Sequence, residues 1–409
     1  MATPSRTGSP MQFVLLEGIH ANAVQLLQGS GLGHVVQDAR ALQGAELAQV
    51  LAGAHVLGLR SRTQLTGELL AQAPHLLAVG AFCIGTDQID LQAAAARGIP
   101  VFNAPFSNTR SVAELVLAEV ILLLRGIPQK NAELHRKVWS KSAKGAHEAR
   151  GKVLGIVGYG HIGTQVGVLA EQLGMEVVFH DIESRLPLGN ARPLPTLGAL
   201  LAQAHVVTLH VPDTPATRGL IGRDELALMR PGAHLINASR GQVVDIDALC
   251  EALAAGQAGG AAIDVFPTEP ASNGAPFESP LTAFDNVLLT PHIGGSTAEA
   301  QANIGHEVAS KLVRFLDNGS TASAVNFPQV SLPERQGLCR LLHVHRNVPG
   351  VLADINDRLR ANGINVAAQY LRTDAALGYA AIDVDSTAGA GLQAALCAVP
   401  QTIRCRVIE

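Results

Sequence analysis

The sequence feature that most constrains the fold is a glycine-rich turn between an apolar run and a helical segment. In KVLGIVGYGHIG, the pattern Gly158-x-Gly160-x-x-Gly163 follows a predicted strand, Val153–Val157, and precedes a predicted helix, Thr164–Leu173. Gly158 permits a tight turn, Gly160 lets the backbone approach a pyrophosphate, and Gly163 allows close packing of helix on strand. In this context the spacing is typical of the first turn of a dinucleotide-binding sheet.

An acidic residue follows at the distance expected for a nucleotide site. The next predicted strand, Glu176–His180, ends directly before Asp181. A carboxylate there can accept hydrogen bonds from both ribose hydroxyls and would repel a 2′-phosphate. The cofactor would place its phosphates at the helix N-terminus, where unpaired N–H groups favour negative charge. The sequence therefore predicts NAD rather than NADP; the alternative is a glycine turn with an incidental aspartate.

Composition excludes several other classes of protein. The 409 residues carry 34 acidic and 30 basic side chains, a net charge of −4, which argues against nucleic-acid binding. The longest apolar stretch, Val112–Leu124, is interrupted by Glu114 and Glu119 and is too short to span a bilayer. The five cysteines contain no CxxC pair, which argues against a disulfide scaffold or a zinc site and favours a reducing cytoplasm. We therefore expect no nucleic-acid partner, no membrane association and no metal.

Short runs of Val, Ile and Leu alternate with helical segments over most of the chain, which predicts parallel sheets with crossover helices. The glycine turn opens the second set of strands, so the first hundred residues must form a separate, earlier domain. The predicted strands are 13–16, 34–36, 56–59, 76–79 and 101–103 in the first set, and 153–157, 176–180, 205–210, 234–237, 260–265 and 287–290 in the second.

The order of elements changes near the C-terminus. A helix predicted at about Ala298–Asp317 is followed by a segment rich in Gly, Pro, Ser and Asn, which is typical of a linker. The remaining residues follow a βαββαβ order, the ferredoxin-like pattern. Pairing two such units would cover their exposed edges, so we expect self-association. The predicted strands are 338–345, 364–372, 379–384 and 402–408, and the helices are 349–362 and 392–399.

Polar side chains with complementary chemistry follow three successive strands of the second set. NASRG contains Arg240, AAIDVFPTEP contains Asp264 and Glu269, and LLTPHIGGST contains His292. Histidine can take the proton of a hydroxyl as hydride leaves, a carboxylate can orient the ring and favour imidazolium, and arginine can clamp a substrate carboxylate. Each residue alone could be an ordinary loop or surface residue. Their shared position at the carboxyl ends of strands predicts a catalytic group.

These motifs resemble the D-isomer-specific 2-hydroxyacid dehydrogenases from about residue 11 to the end of the chain. GLRSRT (58–63), FCIGTDQID (82–90) and FNAPFSNTRSVAEL (102–115) resemble the members that act on 3-phosphoglycerate. The last segment resembles the ACT domain of the serine-regulated members. The resemblance implies oxidation of 3-phospho-D-glycerate to 3-phosphohydroxypyruvate by NAD as the first step of L-serine biosynthesis. It also implies feedback inhibition by L-serine, a side reduction of 2-oxoglutarate to 2-hydroxyglutarate, and a cytoplasmic homotetramer.

The resemblance implies a fold of two Rossmann-like, doubly wound parallel-sheet domains and a C-terminal ferredoxin-like βαββαβ ACT domain. The first domain would be discontinuous, with substrate bound from it and NAD from the second. The implied parts are a disordered tail (1–10), a substrate-binding domain (11–107), an NAD-binding Rossmann domain (108–297), a return segment of the substrate-binding domain (298–318), a linker (319–337) and the ACT regulatory domain (338–409).

The resemblance also assigns residues to sites. Arg240, Glu269 and His292 would be catalytic. Substrate contacts would be Arg60, Ser61, Arg62 and Asn108, because a phosphate and a carboxylate need cationic or N–H partners. L-Serine would bind His345, Asn347 and Asn365 across a two-fold interface. The implied cofactor contacts are Gly158, Gly160, His161, Ile162, Gly163, Asp181, Ala238, Ser239, Arg240, Asp264, His292, Ile293, Gly294 and Gly295.

Alternatives remain for the activity and for the last domain. The chain could oxidise another D-2-hydroxy acid, or it could be a non-catalytic scaffold that senses NAD. The C-terminal domain could serve only to join subunits. The complete Arg, Glu and His set favours an enzyme.

Overall fold

The computed structural model describes residues 10–270, 274–334, 339–385 and 390–408. The predicted tail lies outside the described residues except for its last residue, and so do residues 335–337 of the predicted linker and the first residue of the strand predicted at 338–345. Two compact units divide the chain. One contains the residues up to Ser107 together with those from Gln301 onward, and the other extends from Asn108 to Ala300.

The first unit contains a five-stranded sheet whose pairs are all parallel, with the strand order β2-β1-β3-β4-β5. β3 and β4 are buried along their whole length, as expected for apolar runs with helices on both faces of a sheet. The elements are β1 (Met11–Leu15), α1 (Ala21–Gly29), β2 (Gly33–Gln37), α2 (Gly44–Leu51), β3 (Val56–Leu59), α3 (Gly67–Ala71), β4 (Ala78–Ala81), α4 (Leu91–Ala96) and β5 (Val101–Phe102).

The second unit contains a seven-stranded parallel sheet in the order β12-β11-β10-β9-β6-β7-β8. This is the Rossmann strand order extended by one strand. The two-residue β8 was not predicted, because so short a run has no hydrophobic period. The strands are β6 (Val153–Val157), β7 (Glu176–His180), β8 (Arg192–Pro193), β9 (Val206–Leu209), β10 (Ala233–Asn237), β11 (Ala258–Ile263) and β12 (Val287–Leu289).

The helices of the second unit pack on both faces of this sheet. α5 contributes buried side chains such as Val116 and Val120 to the same core as Ile156 and Ile236. α7 begins at His161, three residues earlier than predicted, because the extended backbone of Gly160 already ends the turn. The helices are α5 (Thr109–Leu124), α6 (Ile127–His135), α7 (His161–Gln172), α8 (Leu197–Leu201), α9 (Arg223–Leu228) and α10 (Ile246–Ala254).

The chain returns to the first sheet through α11 (Ala298–Asn318) and the segment that follows it. Gly80 in β4 makes room for this helix, since a Cβ there would lie 2.8 Å from Val308 and 2.9 Å from Leu312. In the predicted linker, the Asn326 Oδ1 accepts from the Val101 N–H at 2.8 Å. Residues 319–334 are therefore packed against the edge of the sheet at β5.

The last part of the chain is an antiparallel four-stranded sheet in the order β14-β15-β13-β16, with two helices. This is the predicted ferredoxin-like arrangement, so the expected fold class is confirmed for all three sheets. Within the described residues, every helix is too short or too polar to cross a membrane. The elements are β13 (Cys339–Arg346), α12 (Val351–Ala361), β14 (Val366–Thr373), β15 (Leu377–Val384), α13 (Ala390–Cys397) and β16 (Thr402–Ile408).

Candidate active site

The glycine turn after β6 has the geometry that a bound pyrophosphate needs. Gly158 has φ +89°, and a Cβ there would lie 2.5 Å from the carbonyl oxygen of His210. A Cβ on Gly163 would overlap the Gly158 carbonyl, so that glycine is required by helix packing. By contrast, no heavy atom lies within 4 Å of a Cβ built on Gly160. The turn is closed toward the protein and open at Gly160, which fits a phosphate approaching the first turn of α7.

Asp181 is held directly beside this turn. Its Oδ2 accepts from the Tyr159 N–H at 2.8 Å, and its Oδ1 accepts from the Glu183 N–H at 2.9 Å. The Arg185 guanidinium lies 3.4 Å from the same Oδ2. The carboxylate is therefore fixed by the backbone at the end of β7, where lone pairs remain for ribose hydroxyls.

Asp264 follows β11 and organises the loop that carries His292. It is 1% exposed, and it accepts the Thr290 hydroxyl at 2.6 Å and the Ile293 and Gly294 amides at 2.8 Å each. Its own carbonyl accepts the His292 N–H at 2.8 Å. These bonds hold His292 at φ +54°, a left-handed conformation that is uncommon for histidine. The sequence implied only a cofactor contact for Asp264, and the structure shows that this carboxylate also anchors the loop.

His292 and Glu269 form a close pair. The imidazole Nδ1 lies 3.0 Å from Oε1 and 2.9 Å from Oε2 of the carboxylate. The hydrogen bond to Glu269 raises the pKa of His292 above its ordinary value and outweighs the opposing effect of burial. Burial raises the pKa of Glu269, but its bond to His292 and nearby positive charge bring the net value below the ordinary one. The imidazole can therefore take up and release a proton while the carboxylate stays ionised.

Arg240 joins this pair through a tight backbone contact. A Cβ on Gly241 would overlap the backbone of Phe266 and Pro267, so the turn after β10 lies against the loop that leads to Glu269. The positive charge of Arg240 lowers the pKa of both Glu269 and His292. The structure therefore brings together the three side chains predicted to be catalytic.

Local hydrogen bonds explain why the Arg240 turn has a fixed shape. Asn237 accepts the Ser239 amide at 3.1 Å and its hydroxyl at 2.7 Å, and it donates to the Arg240 carbonyl at 3.0 Å. The guanidinium donates to the Ser239 carbonyl at 2.8 Å. Ala238 lies inside this turn, at the carboxyl end of the sheet together with the other implied cofactor contacts.

Asn108 lies next to the same loop. It precedes α5 and is 9% exposed, and a Cβ on Gly295 would overlap its Nδ2. Its Oδ1 is buried without a hydrogen-bond partner in the described part of the chain. Such an acceptor is costly unless it gains a donor, which suits a ligand-binding position.

Arg60, Ser61 and Arg62 form the turn after β3 in the other unit. Ser61 and Arg62 are exposed and Arg60 is half-buried. Two supporting residues were missed by the sequence analysis. The Glu17 carboxylate accepts hydrogen bonds from backbone N–H groups of this turn. The Gln88 side chain donates a hydrogen bond to the Arg60 carbonyl at 2.6 Å. Glu17 follows β1, so the strand-end rule that found Arg240 would have found it.

His210 is a further residue that the sequence analysis missed. It follows β9 and its Nε2 lies 3.0 Å from the Thr208 hydroxyl. Burial lowers the pKa of His210 to about 3, so the ring is neutral near neutral pH. Its carbonyl touches the glycine turn, which makes it part of the wall of the nucleotide site.

The residues implied for the effector do not meet within one chain. His345 pairs with Gly378 at the start of β15, whereas Asn365 donates to Asp385 just past its end. Seven residues of extended strand separate these points, about 23 Å at roughly 3.3 Å per residue. Asn347 lies on the His345 side and donates to the Asp374 carbonyl at 2.6 Å. His345 is 4% exposed, and its Nε2 has no partner among the described residues.

Comparison with known proteins gives concordant matches. The family model "D-isomer specific 2-hydroxyacid dehydrogenase, NAD binding domain" matches residues 117–294. A "D-3-phosphoglycerate dehydrogenase" of Escherichia coli K12 is 57% identical over 100% of both chains, and one of Haemophilus influenzae is 57% identical over 98% of both. Among solved structures, a D-lactate dehydrogenase of Aquifex aeolicus in complex with NAD and lactic acid is 27% identical. It has a TM-score of 0.67 and covers 77% of this chain and 100% of its own.

Proposed function

Because the chain belongs to the D-isomer-specific 2-hydroxyacid dehydrogenases, we propose that it oxidises 3-phospho-D-glycerate to 3-phosphohydroxypyruvate. It is an NAD-dependent oxidoreductase, and NAD is its cofactor. The observation that carries the proposal is the His292–Glu269 pair, placed beside Arg240 at the carboxyl end of a nucleotide-binding sheet. The substrate follows from the full-length relatives, which are named for 3-phosphoglycerate.

In the proposed reaction, His292 accepts the proton of the substrate hydroxyl. Glu269 then stabilises the imidazolium that forms and keeps the ring in one orientation. Arg240 binds the carboxylate next to the reacting carbon, and its positive charge polarises the carbonyl in the reverse direction. NAD, when bound, supplies the hydride acceptor.

The chain's own groups bind and orient the cofactor. Gly160 leaves space for the pyrophosphate, and the N–H groups of the first turn of α7, with His161 and Ile162, would bind it. Asp181 accepts from the ribose hydroxyls. Ala238, Ser239, Asp264 and the stretch from His292 to Gly295 form the end of the site nearest the reaction.

The remaining anionic groups of the substrate would bind to Arg60, Ser61, Arg62 and Asn108. A dianionic phosphate gains most from arginine, which gives two parallel hydrogen bonds.

Initial NADH formation with 3-phosphoglycerate, lactate, glycerate and 2-hydroxyglutarate tests which 2-hydroxy acid is the substrate. We expect the highest initial rate with 3-phosphoglycerate. A higher rate with another acid would show that the other acid is the substrate. NAD binding without turnover of any of them would support a sensing scaffold instead.

We also infer that the C-terminal domain binds L-serine in a homotetramer that works in the cytoplasm at the start of serine biosynthesis. The separation of His345 and Asn365 supports a site made by two copies, each giving one end of its sheet. The His345 Nδ1 lies 2.9 Å from the Arg346 carbonyl, so the unpartnered Nε2 is an acceptor, which would take a hydrogen bond from the serine ammonium group. A side reduction of 2-oxoglutarate would use the same His292 as proton donor.

Serine regulation is tested by initial rates at increasing serine concentration with 3-phosphoglycerate. We expect full inhibition, and His345→Ala should raise the serine concentration for half-inhibition at least about tenfold, since a hydrogen bond to a charged group is lost. Asn362→Ala, an exposed change at the end of α12, is the control. Initial rates that do not change with serine concentration would mean that this domain only joins subunits.

A further inference from the structure

A buried carboxylate lies beneath the turn that carries Arg60, Ser61 and Arg62. The side chain of Glu17 is 1% exposed. Glu17 lies two residues after the end of β1 and has φ +61°, a left-handed conformation that costs energy for a residue with a side chain. Both the backbone conformation of Glu17 and the burial of its carboxylate lower the stability of the folded chain. An apolar side chain would pack there at lower cost, so the carboxylate needs another explanation.

Three backbone amides of the turn donate to this one carboxylate. Oε1 accepts the Arg60 N–H at 3.1 Å and the Thr63 N–H at 2.9 Å, and Oε2 accepts the Arg62 N–H at 3.1 Å. Hydrogen bonds to an ionised acceptor are roughly twice as strong as neutral ones. The turn is consequently fixed at three of its four residues from 60 to 63.

The two arginine side chains of the turn are also held near Glu17. The Arg62 Nε lies 3.6 Å from Oε2, and the Arg60 Nη1 donates to the Glu17 carbonyl at 3.5 Å. From the other side, the buried Gln88 donates to the Arg60 carbonyl at 2.6 Å. Both guanidinium groups therefore lie next to Glu17, and the backbone of Arg60 is held from two sides.

We propose that Glu17 is a positioning residue for substrate binding, because it fixes the 60–63 turn in the conformation that binds the anionic groups of the substrate. This inference rests on the proposed function, which assigns those groups to Arg60, Ser61 and Arg62. Holding the turn in place removes part of the entropy cost of ordering two long side chains on binding. The Glu17 carboxylate is buried beneath the turn and bonded to its backbone, so we expect it to act on substrate affinity rather than on the chemical step.

Removal of the Glu17 charge could instead lower the KM for the substrate, for a different physical reason. If the negative charge of Glu17 competed with the substrate for Arg62, its removal would strengthen binding. The sign of the change in KM therefore separates positioning from competition.

The test compares the wild type with Glu17→Gln in the full-length chain. Glutamine keeps the size of the side chain, but it places an NH2 group opposite at least one of the three backbone N–H groups that donate to Glu17. We expect the KM for 3-phosphoglycerate to rise at least about tenfold. The kcat should stay within about threefold and the KM for NAD within about twofold. Glu68→Gln, an exposed change of the same charge on α3, is the control and should leave all three constants unchanged.

Gln88→Met provides a second, independent route to the same turn. It removes the hydrogen bond to the Arg60 carbonyl and should also raise the KM for 3-phosphoglycerate with little change in kcat. It decides the question if Glu17→Gln does not fold, as judged by circular dichroism and NAD binding. An unchanged or lower KM in the folded variants would overturn the proposal.

Failure of the proposed function is recognised separately. If the wild type does not oxidise 3-phosphoglycerate, the same comparison is made with the 2-hydroxy acid that it does oxidise. A KM for that acid that rises in Glu17→Gln supports positioning, and one that does not rise refutes it.

Discussion

Glu269→Gln tests the central pair of the site most directly. The substitution keeps the shape of the side chain and a hydrogen-bond acceptor for His292, but it removes the negative charge. In the oxidation direction, the imidazolium that forms in the transition state then loses its counter-charge. We expect a lower kcat with little change in the affinity for NAD, because Glu269 acts on the proton acceptor.

The magnitude follows from the distance and the exposure of the pair. Opposite unit charges about 3 Å apart attract by about 1.4 kcal/mol in water and by about 5.5 kcal/mol at an effective dielectric of 20. The side chains of His292 and Glu269 are 50% and 37% exposed, so solvent screening keeps the attraction near about 2 kcal/mol. That corresponds to about thirtyfold in rate, and looser ring orientation brings the expected fall in kcat to about 10²-fold.

The pH dependence gives a second readout with a defined sign. Glu269 raises the pKa of His292 above 6.5, and oxidation requires the neutral ring. We therefore expect the acidic limb of kcat/KM for oxidation to lie at higher pH in the wild type than in Glu269→Gln. Reduction requires the protonated ring, so its alkaline limb should move in the same direction.

The assay is initial NADH formation, and NADH consumption in reverse, between pH 5 and 10. Glu278→Gln, which removes an exposed carboxylate from the same unit, should leave the rates and both limbs unchanged. A Glu269→Gln enzyme within about threefold of the wild type, with neither limb displaced, would refute the role assigned to the pair.

Three further substitutions test other parts of the site. His292→Asn should lower kcat by about 10²–10⁴-fold in initial-rate assays, a larger effect than on the dissociation constant for NAD; an unchanged kcat would contradict proton transfer. Asp181→Ala should raise kcat/KM for NADP relative to NAD by about tenfold or more, because it removes the repulsion of a 2′-phosphate; an unmoved ratio would mean that the ribose contact is misassigned. Asp264→Asn places an NH2 group opposite one of the two amides that donate to Asp264, so the free energy of unfolding should fall by about 1–3 kcal/mol and the Tm by several degrees in thermal unfolding. An unchanged Tm would show that the loop does not depend on this carboxylate.

The C-terminal domain illustrates why some sites need more than one chain. His345 and Asn365 lie at opposite ends of β15, and no rearrangement within one folded sheet can bring them together. If they bind one serine molecule, the second end must come from another copy. Inhibition would then depend on assembly, and dilution into subunits should weaken it.

Much of this architecture is determined by local sequence. The apolar runs placed eleven of the twelve strands in the two parallel sheets within two residues at both ends, because buried parallel strands must be continuously apolar. The glycine turn identified the nucleotide-binding sheet, since Gly158 and Gly163 occupy positions where a Cβ would collide with backbone. Arg240, Glu269 and His292 became candidates because functional side chains in such sheets follow the carboxyl ends of strands.

Tertiary structure decided what local patterns cannot encode. Glu17 lies 43 residues from Arg60 along the chain, and only the pairing of β1 with β3 makes it the acceptor for that turn. Asp264 became a loop anchor because the loop after β12 folds back over the end of β11. The return of α11 to the first sheet and the packing of residues 319–334 on β5 likewise depend on contacts across more than 200 residues. Hydrophobic period and turn chemistry act over a few residues, whereas the partner of a buried polar group is set by which distant strands become neighbours.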